Sequence, residues 1–162
     1  MKTKLQAFTL LEVLMVLTIA SILITLSIPS ILSFLNHQQE TTLQHQLKNI
    51  LETAHQEASV GIVAVCRSTN NKACEDTGNN WLVFFDEKDN GVLTDKDKLI
   101  SVHHLNVKAG TLVLRSFPSY RHYLRFSGGD IVHADNATIG YYKNKKLVWS
   151  LVVNQAGRVR VG

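Results

Sequence analysis

The chain has 162 residues, 45% of them apolar, and 17 Lys/Arg against 13 Asp/Glu give it a formal net charge of +4. Apart from one apolar stretch near the start, this is the composition of an ordinary globular protein, which excludes a disordered or low-complexity chain. That stretch, residues 13–35, holds no charged residue at all, which sets the protein apart from a plain soluble domain.

The first seven residues, Met1-Lys2-Thr3-Lys4-Leu5-Gln6-Ala7, form a short polar leader, and its two lysines favour keeping that end in the cytoplasm. The uncharged run behind it would reach about 34 Å as a helix at ~1.5 Å per residue, enough to cross a bilayer core of ~30 Å. Glu12 stands at its head. A carboxylate in a membrane segment costs roughly 2.5–3.5 kcal/mol on insertion scales, so it calls for a partner such as a protonated amine on a neighbouring molecule. A plain anchor leaves Glu12 unexplained. An ordinary secretory signal would end in an Ala-x-Ala-like site after a shorter apolar core.

Beyond Pro29 the helix can continue. Leu43, Leu47, Ile50, Leu51, Ala54 and Ala58 recur at three- and four-residue steps, while Gln38, Glu40, Gln44, Lys48, Glu52 and Glu57 fall largely off that stripe. One face of residues 36–60 is therefore expected to pack on a globular domain, with Gly61 as the stop. From residue 62 the apolar period changes to two. Strands are predicted over 62–66, 81–85, 99–105, 111–117, 123–126, 131–133, 139–143, 147–153 and 158–161. The fold class expected is α+β: a long N-terminal helix packed by its second half on a small antiparallel β domain spanning 61–162. After the leader and membrane helix about 110–125 residues remain, enough for one domain with a modest core.

Cys66 and Cys74 have seven residues between them. The topology puts them outside the cytoplasm, where such a pair is expected to form a local disulfide. No Cys or His cluster supplies a metal site. Asp86-Glu87-Lys88-Asp89-Asn90-Gly91, with Asp97 beyond, partly resembles a calcium loop, but Lys88 takes a ligand position and a hairpin turn at Asn90-Gly91 explains the segment equally well. His103 and His104 are adjacent and would point to opposite faces of a strand. No Ser/His/Asp set, paired carboxylates or phosphate-cradling glycine loop stands out, so no enzyme and no cofactor is expected.

The charge is uneven. Residues 1–108 carry 9 Lys/Arg and 11 Asp/Glu, whereas residues 109–162 carry 8 Lys/Arg and only Asp130 and Asp135. This basic last third fits an acidic partner, or simply a solvated basic face, and charge alone favours the latter. At the very end Gly157-Arg158-Val159-Arg160 places two arginines on one face of an extended segment, about 6.6–6.8 Å apart. Such paired forks suit phosphate oxygens, but they equally suit an edge strand blunted against aggregation. Lys143, Lys145 and Lys146 lie nearby in sequence, Arg115, Arg121 and Arg125 upstream, and Tyr120, Tyr123, Tyr141 and Tyr142 interleave with them.

The head of the chain resembles the signal of type IV pilins and type II secretion pseudopilins: a basic leader, a small residue, then Phe8-Thr9-Leu10-Leu11-Glu12 and an apolar run. That resemblance implies cleavage between Ala7 and Phe8 by a prepilin peptidase and N-methylation of Phe8. It also implies that Glu12 pairs with the N-terminal amine of the adjacent subunit in a filament. The family usually has Gly before the cut; Ala7 is small enough that processing is still expected. The globular part resembles the FimT/GspH family of minor pilins and pseudopilins, on Val65-Cys66-Arg67, Cys74, Trp81-Leu82-Val83-Phe84-Phe85-Asp86, Asn90-Gly91, Tyr123-Leu124-Arg125-Phe126 and the closing Gly-Arg-x-Arg. The fold this implies is a long helix with two small antiparallel sheets. The closing motif is similar to that of FimT minor pilins, which bind DNA in natural transformation. It implies a DNA-binding role for Arg158 and Arg160, to which charge and proximity add Lys143, Lys145 and Lys146. The alternatives within the resemblance are a GspH-like pseudopilin of a type II secretion system and a FimU-like minor pilin that primes pilus assembly. The expected setting is the inner membrane, with the globular domain in the periplasm, and then the pilus among other major and minor pilins. The expected organisation is a leader (1–7), a membrane and assembly half-helix (8–35), an amphipathic half-helix (36–60) and the β domain (61–162).

Overall fold

A computed structural model describes the chain except for residues 1–8, 108–109, 120 and 129–130 and the side chains of 26–29. The described residues form an α+β fold with one long helix, α1 (Leu10–Glu57), and nine strands. The chain divides into two compact units, Met1–Thr41 and Thr42–Gly162.

In the first unit the described apolar side chains of α1 are largely bare. Leu10, Leu14, Leu17, Ile22, Ile24 and Phe34 are each more than half exposed, and the segment is long and apolar enough to cross a membrane. The hydroxyls of Thr18, Ser21, Thr25 and Ser33 each donate to the backbone carbonyl three residues earlier, at 2.8 Å. Polar groups closed within the helix in this way can face lipid without an unmet hydrogen bond. Thr9 caps the helix: its Oγ1 accepts from the Glu12 N–H at 3.3 Å. Thr9 and Glu12 thus stand at the two key positions of a capping box, with the carboxylate in the first turn where the helix dipole favours negative charge.

In the second unit the predicted stripe is the buried one. Leu43, Leu47, Ile50, Leu51, Ala54 and Ala58 all lie in the core. The helix ends at Glu57 and a single 3-10 turn, Ala58–Val60, leads to Gly61. The strands β1 (Ile62–Ser68), β2 (Asn80–Phe85), β3 (Leu99–His104), β5 (Tyr123–Ser127) and β6 (His133–Ala134) form one antiparallel sheet, in the order β3-β2-β1-β5-β6. A second antiparallel sheet has the order β4-β7-β8-β9, from β4 (Thr111–Ser116), β7 (Ala137–Lys143), β8 (Lys146–Val153) and β9 (Val159–Val161). The inward residues of both sheets, among them Val63, Trp81, Phe126, Ile139 and Leu151, pack with the helix stripe in one core. Burial of side chains of this size, at roughly 1.5–3 kcal/mol each, is what holds the three elements together.

The other face of the first sheet is covered too. Ala64, Cys66, Leu82, Phe84 and Tyr123 form a second cluster with Cys74 and Leu93 over it. Those covering residues come from two loops, 69–79 and 86–98, that pair with each other: Cys74 N–H donates to the Gly91 carbonyl at 2.9 Å and Leu93 N–H to that of Lys72 at 2.7 Å. The expected disulfide Cys66–Cys74 is formed and ties the first loop to β1. Arg67 completes the junction. Its guanidinium donates to the carbonyls of Asp76 and Gly78 in the loop and of Leu112 in the second sheet. Burial lowers its pKa, with the charge of Asp76 opposing.

Candidate nucleic-acid interface

Arg158 and Arg160 stand where the second sheet ends. β8 turns at Asn154, whose backbone carbonyl accepts from Gly157 N–H at 2.8 Å and whose Oδ1 accepts from Arg158 N–H at 2.9 Å. The turn needs glycine at 157. Its φ is +70°, and a Cβ there would run into the His55 ring, including Nε2 at 2.6 Å. Closely seated on the helix, the chain then runs out as the edge strand β9. Val159 packs against the core while Arg158 and Arg160 are exposed, and neither guanidinium has a partner among the described residues. An open groove of about 460 Å³ lies between them and Glu52, His55 and Gln56 of α1. Both arginines are exposed, Arg160 on β9 (Val159–Val161) and Arg158 in the turn just before it. Val161, expected to pack inward, is 60% exposed at the sheet edge because no further strand covers it.

The lysines are elsewhere. Lys143 pairs with Lys146 across a two-residue turn in which Asn144 and Lys145 both have positive φ, 51° and 63°. This is the primed hairpin geometry that matches strand twist. Arg160 lies opposite Val152, six residues along β8 from Lys146. At ~3.3 Å per residue the two basic groups are about 20 Å apart, so they are two points along one sheet rather than one cluster.

The upstream cations are largely consumed. Arg121 binds Asp135 at 2.9 Å and Asp89 at 3.1 Å, and Arg125 binds Asp89 at 3.1 Å. Burial opposes the charge on Arg121, but its bond to Asp135 and the charges of Asp89 and Asp135 outweigh that and raise its pKa. Two of the tyrosines are not free to stack on bases either. Tyr141 is buried and stacked on Trp149, 5.3 Å between ring centroids, and Tyr123 is buried with its hydroxyl on Asp89. Sequence proximity alone could not separate these paired and buried residues from the exposed ones. Asp89, the acid that neutralises both arginines, lies more than thirty positions before them.

The segment 86–97 is a structural loop. Asp86 is fully buried and accepts from the N–H groups of Asn90 and Gly91, at 3.2 and 2.7 Å. Asp97 accepts from Thr94 and Glu87. Burial works against its charge, but those bonds hold its pKa below the ordinary value. Carboxylates turned onto backbone donors are not arranged around an ion. Nor is Asn90-Gly91 a two-residue hairpin, because β3 begins only at Leu99. His103 and His104 face apart, on Ser101 and Asn80 respectively. Among the described residues no cluster of metal-ligating side chains occurs. Glu12 is exposed on the first turn of α1. Ala7, Phe8 and Tyr120 lie outside the described residues.

No family model, curated protein or solved structure matches the chain.

Proposed function

We propose that the protein is a minor type IV pilin that binds DNA through its C-terminal strand in natural transformation. The observation that carries this reading is the pair Arg158 and Arg160, both exposed and without a partner among the described residues, at a terminal edge strand held in place by Gly157 and Asn154. Two such guanidiniums seek phosphate oxygens and read no base edges, so binding is electrostatic and independent of sequence. The Lys143–Lys146 turn supplies a second contact point about 20 Å away, within the reach of one turn of duplex. The bare apolar half of α1 supports an inner-membrane subunit whose β domain lies in the periplasm. In this reading prepilin peptidase cuts between Ala7 and Phe8, and Glu12 then pairs with the amine of the next subunit among major and minor pilins.

The test uses the full chain in detergent micelles and labelled duplex DNA, titrated at several salt concentrations beside Arg158→Gln/Arg160→Gln. Saturable binding is expected, and the double variant should flatten the slope of log K against log salt by about 1.8, two phosphate contacts at ~0.9 each. No binding at low salt, or equal slopes, sinks the DNA role. A second reading, a structural pseudopilin of the GspH kind or a FimU-like assembly primer, draws on one observation: β9 has an open edge and an exposed Val161, which suit pairing with a neighbouring subunit.

A further inference from the structure

The pairing register sets Arg115 of β4, Thr138 of β7, Val152 of β8 and Arg160 of β9 in one row across the second sheet. Residues directly opposite share a face, so both side chains leave the sheet on its outward side, from backbone positions three strand spacings or about 14 Å apart. The next row along, Val113, Gly140 and Ser150, is small, and the Tyr142 ring and Leu147 close over Gly140. No outward position of this sheet is Asp or Glu, and Arg115 has no partner among the described residues. Just past β4, Phe117 is 72% exposed. With Arg115, Thr138, Val152 and Asn154 it lines an open groove of about 330 Å³ at the arginine end of the face.

An exposed phenyl ring beside an unpaired cation gains nothing from a duplex, whose bases are stacked inside. A single strand offers both a phosphate for the cation and an unstacked base for the ring. We infer that the outward face of this sheet is a track for single-stranded nucleic acid, from Arg160 to Arg115, with Phe117 as the platform for one base. The inference rests on the DNA-binding reading above and extends it to a strand preference and two further residues. The acid-free face selects a polyanion over a second copy of this chain, the other occupant that would cover Phe117.

The experiment compares the full chain with Arg115→Gln and Phe117→Ala in detergent micelles, against labelled oligo-dT and duplex, with self-association followed by sedimentation. Both side chains are exposed, and circular dichroism checks that the variants stay folded. Phe117→Ala should weaken oligo-dT binding at least about five-fold, the lower end for one lost stack, and leave duplex binding within about two-fold. Arg115→Gln should flatten the salt slope on oligo-dT by about 0.7, one phosphate contact on a single strand. Wild-type binding that neither variant changes overturns this inference and leaves the terminal arginines as the site. A Phe117→Ala variant that loses self-association while keeping DNA affinity makes the face a contact between copies. Absence of any DNA binding by the wild type removes both this inference and the reading beneath it.

Discussion

Asp89 is the residue on which most charge converges. Its carboxylate accepts from Arg121 and Arg125 at 3.1 Å each and from the Tyr123 hydroxyl at 3.0 Å, and its carbonyl takes the same hydroxyl at 2.8 Å. Burial, and then the bond to Asp89, push the Tyr123 phenol up to about 12 from 10.0. The folded state thus resists forming the phenolate. Its contribution is intact below pH 10 and is lost as pH rises from 10 towards 12. Tyr123→Phe removes that dependence, while the lost hydrogen bonding costs about 1 kcal/mol near neutrality. Urea midpoints at pH 8 and pH 11 check this: the variant should start lower, and the gap should narrow or reverse at pH 11. A parallel fall in both proteins would mean that Tyr123 is not the group being titrated.

At the scale of elements, the two excursions 69–79 and 86–98 act as a lid on the outer face of the first sheet. The disulfide between Cys66 and Cys74 closes a short loop, and chain entropy assigns such a closure about 2.5 kcal/mol. The larger consequence is geometric. Cys74 faces the cluster of Leu82, Phe84 and Tyr123, and the loop's other ties run through Gly91 and Arg67. Cys66→Ala/Cys74→Ala is therefore expected to lower stability by about 2–5 kcal/mol in urea melts and to speed amide exchange in 69–79 before the rest of the domain. Uniform exchange across the domain would show that the lid does not open on its own.

For the whole molecule, the two halves of α1 differ in what they present. Its second half contributes a stripe to the core, whereas Ile19 and Ile22 in the first half are each 59% exposed. Ile19→Arg/Ile22→Arg sets two guanidiniums in the uncharged run, at roughly 2.5–3.5 kcal/mol each on insertion scales. The wild-type chain should stay with membranes through an alkaline wash, and the double variant should be largely released. Equal retention would place the anchor elsewhere.

The helix, its buried stripe, the nine strands of the described residues to within a few positions and the disulfide were legible in the sequence. Each depends on local periodicity or on a short chain separation: 3.6-residue spacing along α1, alternation along the strands, seven residues between the cysteines. The Thr9 cap rests on a local Thr-x-x-Glu pattern that was not read as a cap from the sequence, and it adds a helix-end role for Glu12 to the one drawn from charge. What the tertiary structure alone decided is which of the basic and aromatic residues of the last third are available. Arg121 and Arg125 are taken by Asp89, Tyr141 by Trp149, and the lysine turn is carried about 20 Å from Arg160. Arg115 and Arg160, 45 positions apart in the chain, share a face only because four strands pair in one register. Periodicity is written along the chain, whereas charge pairing and strand register are made between distant segments, and no local pattern encodes them.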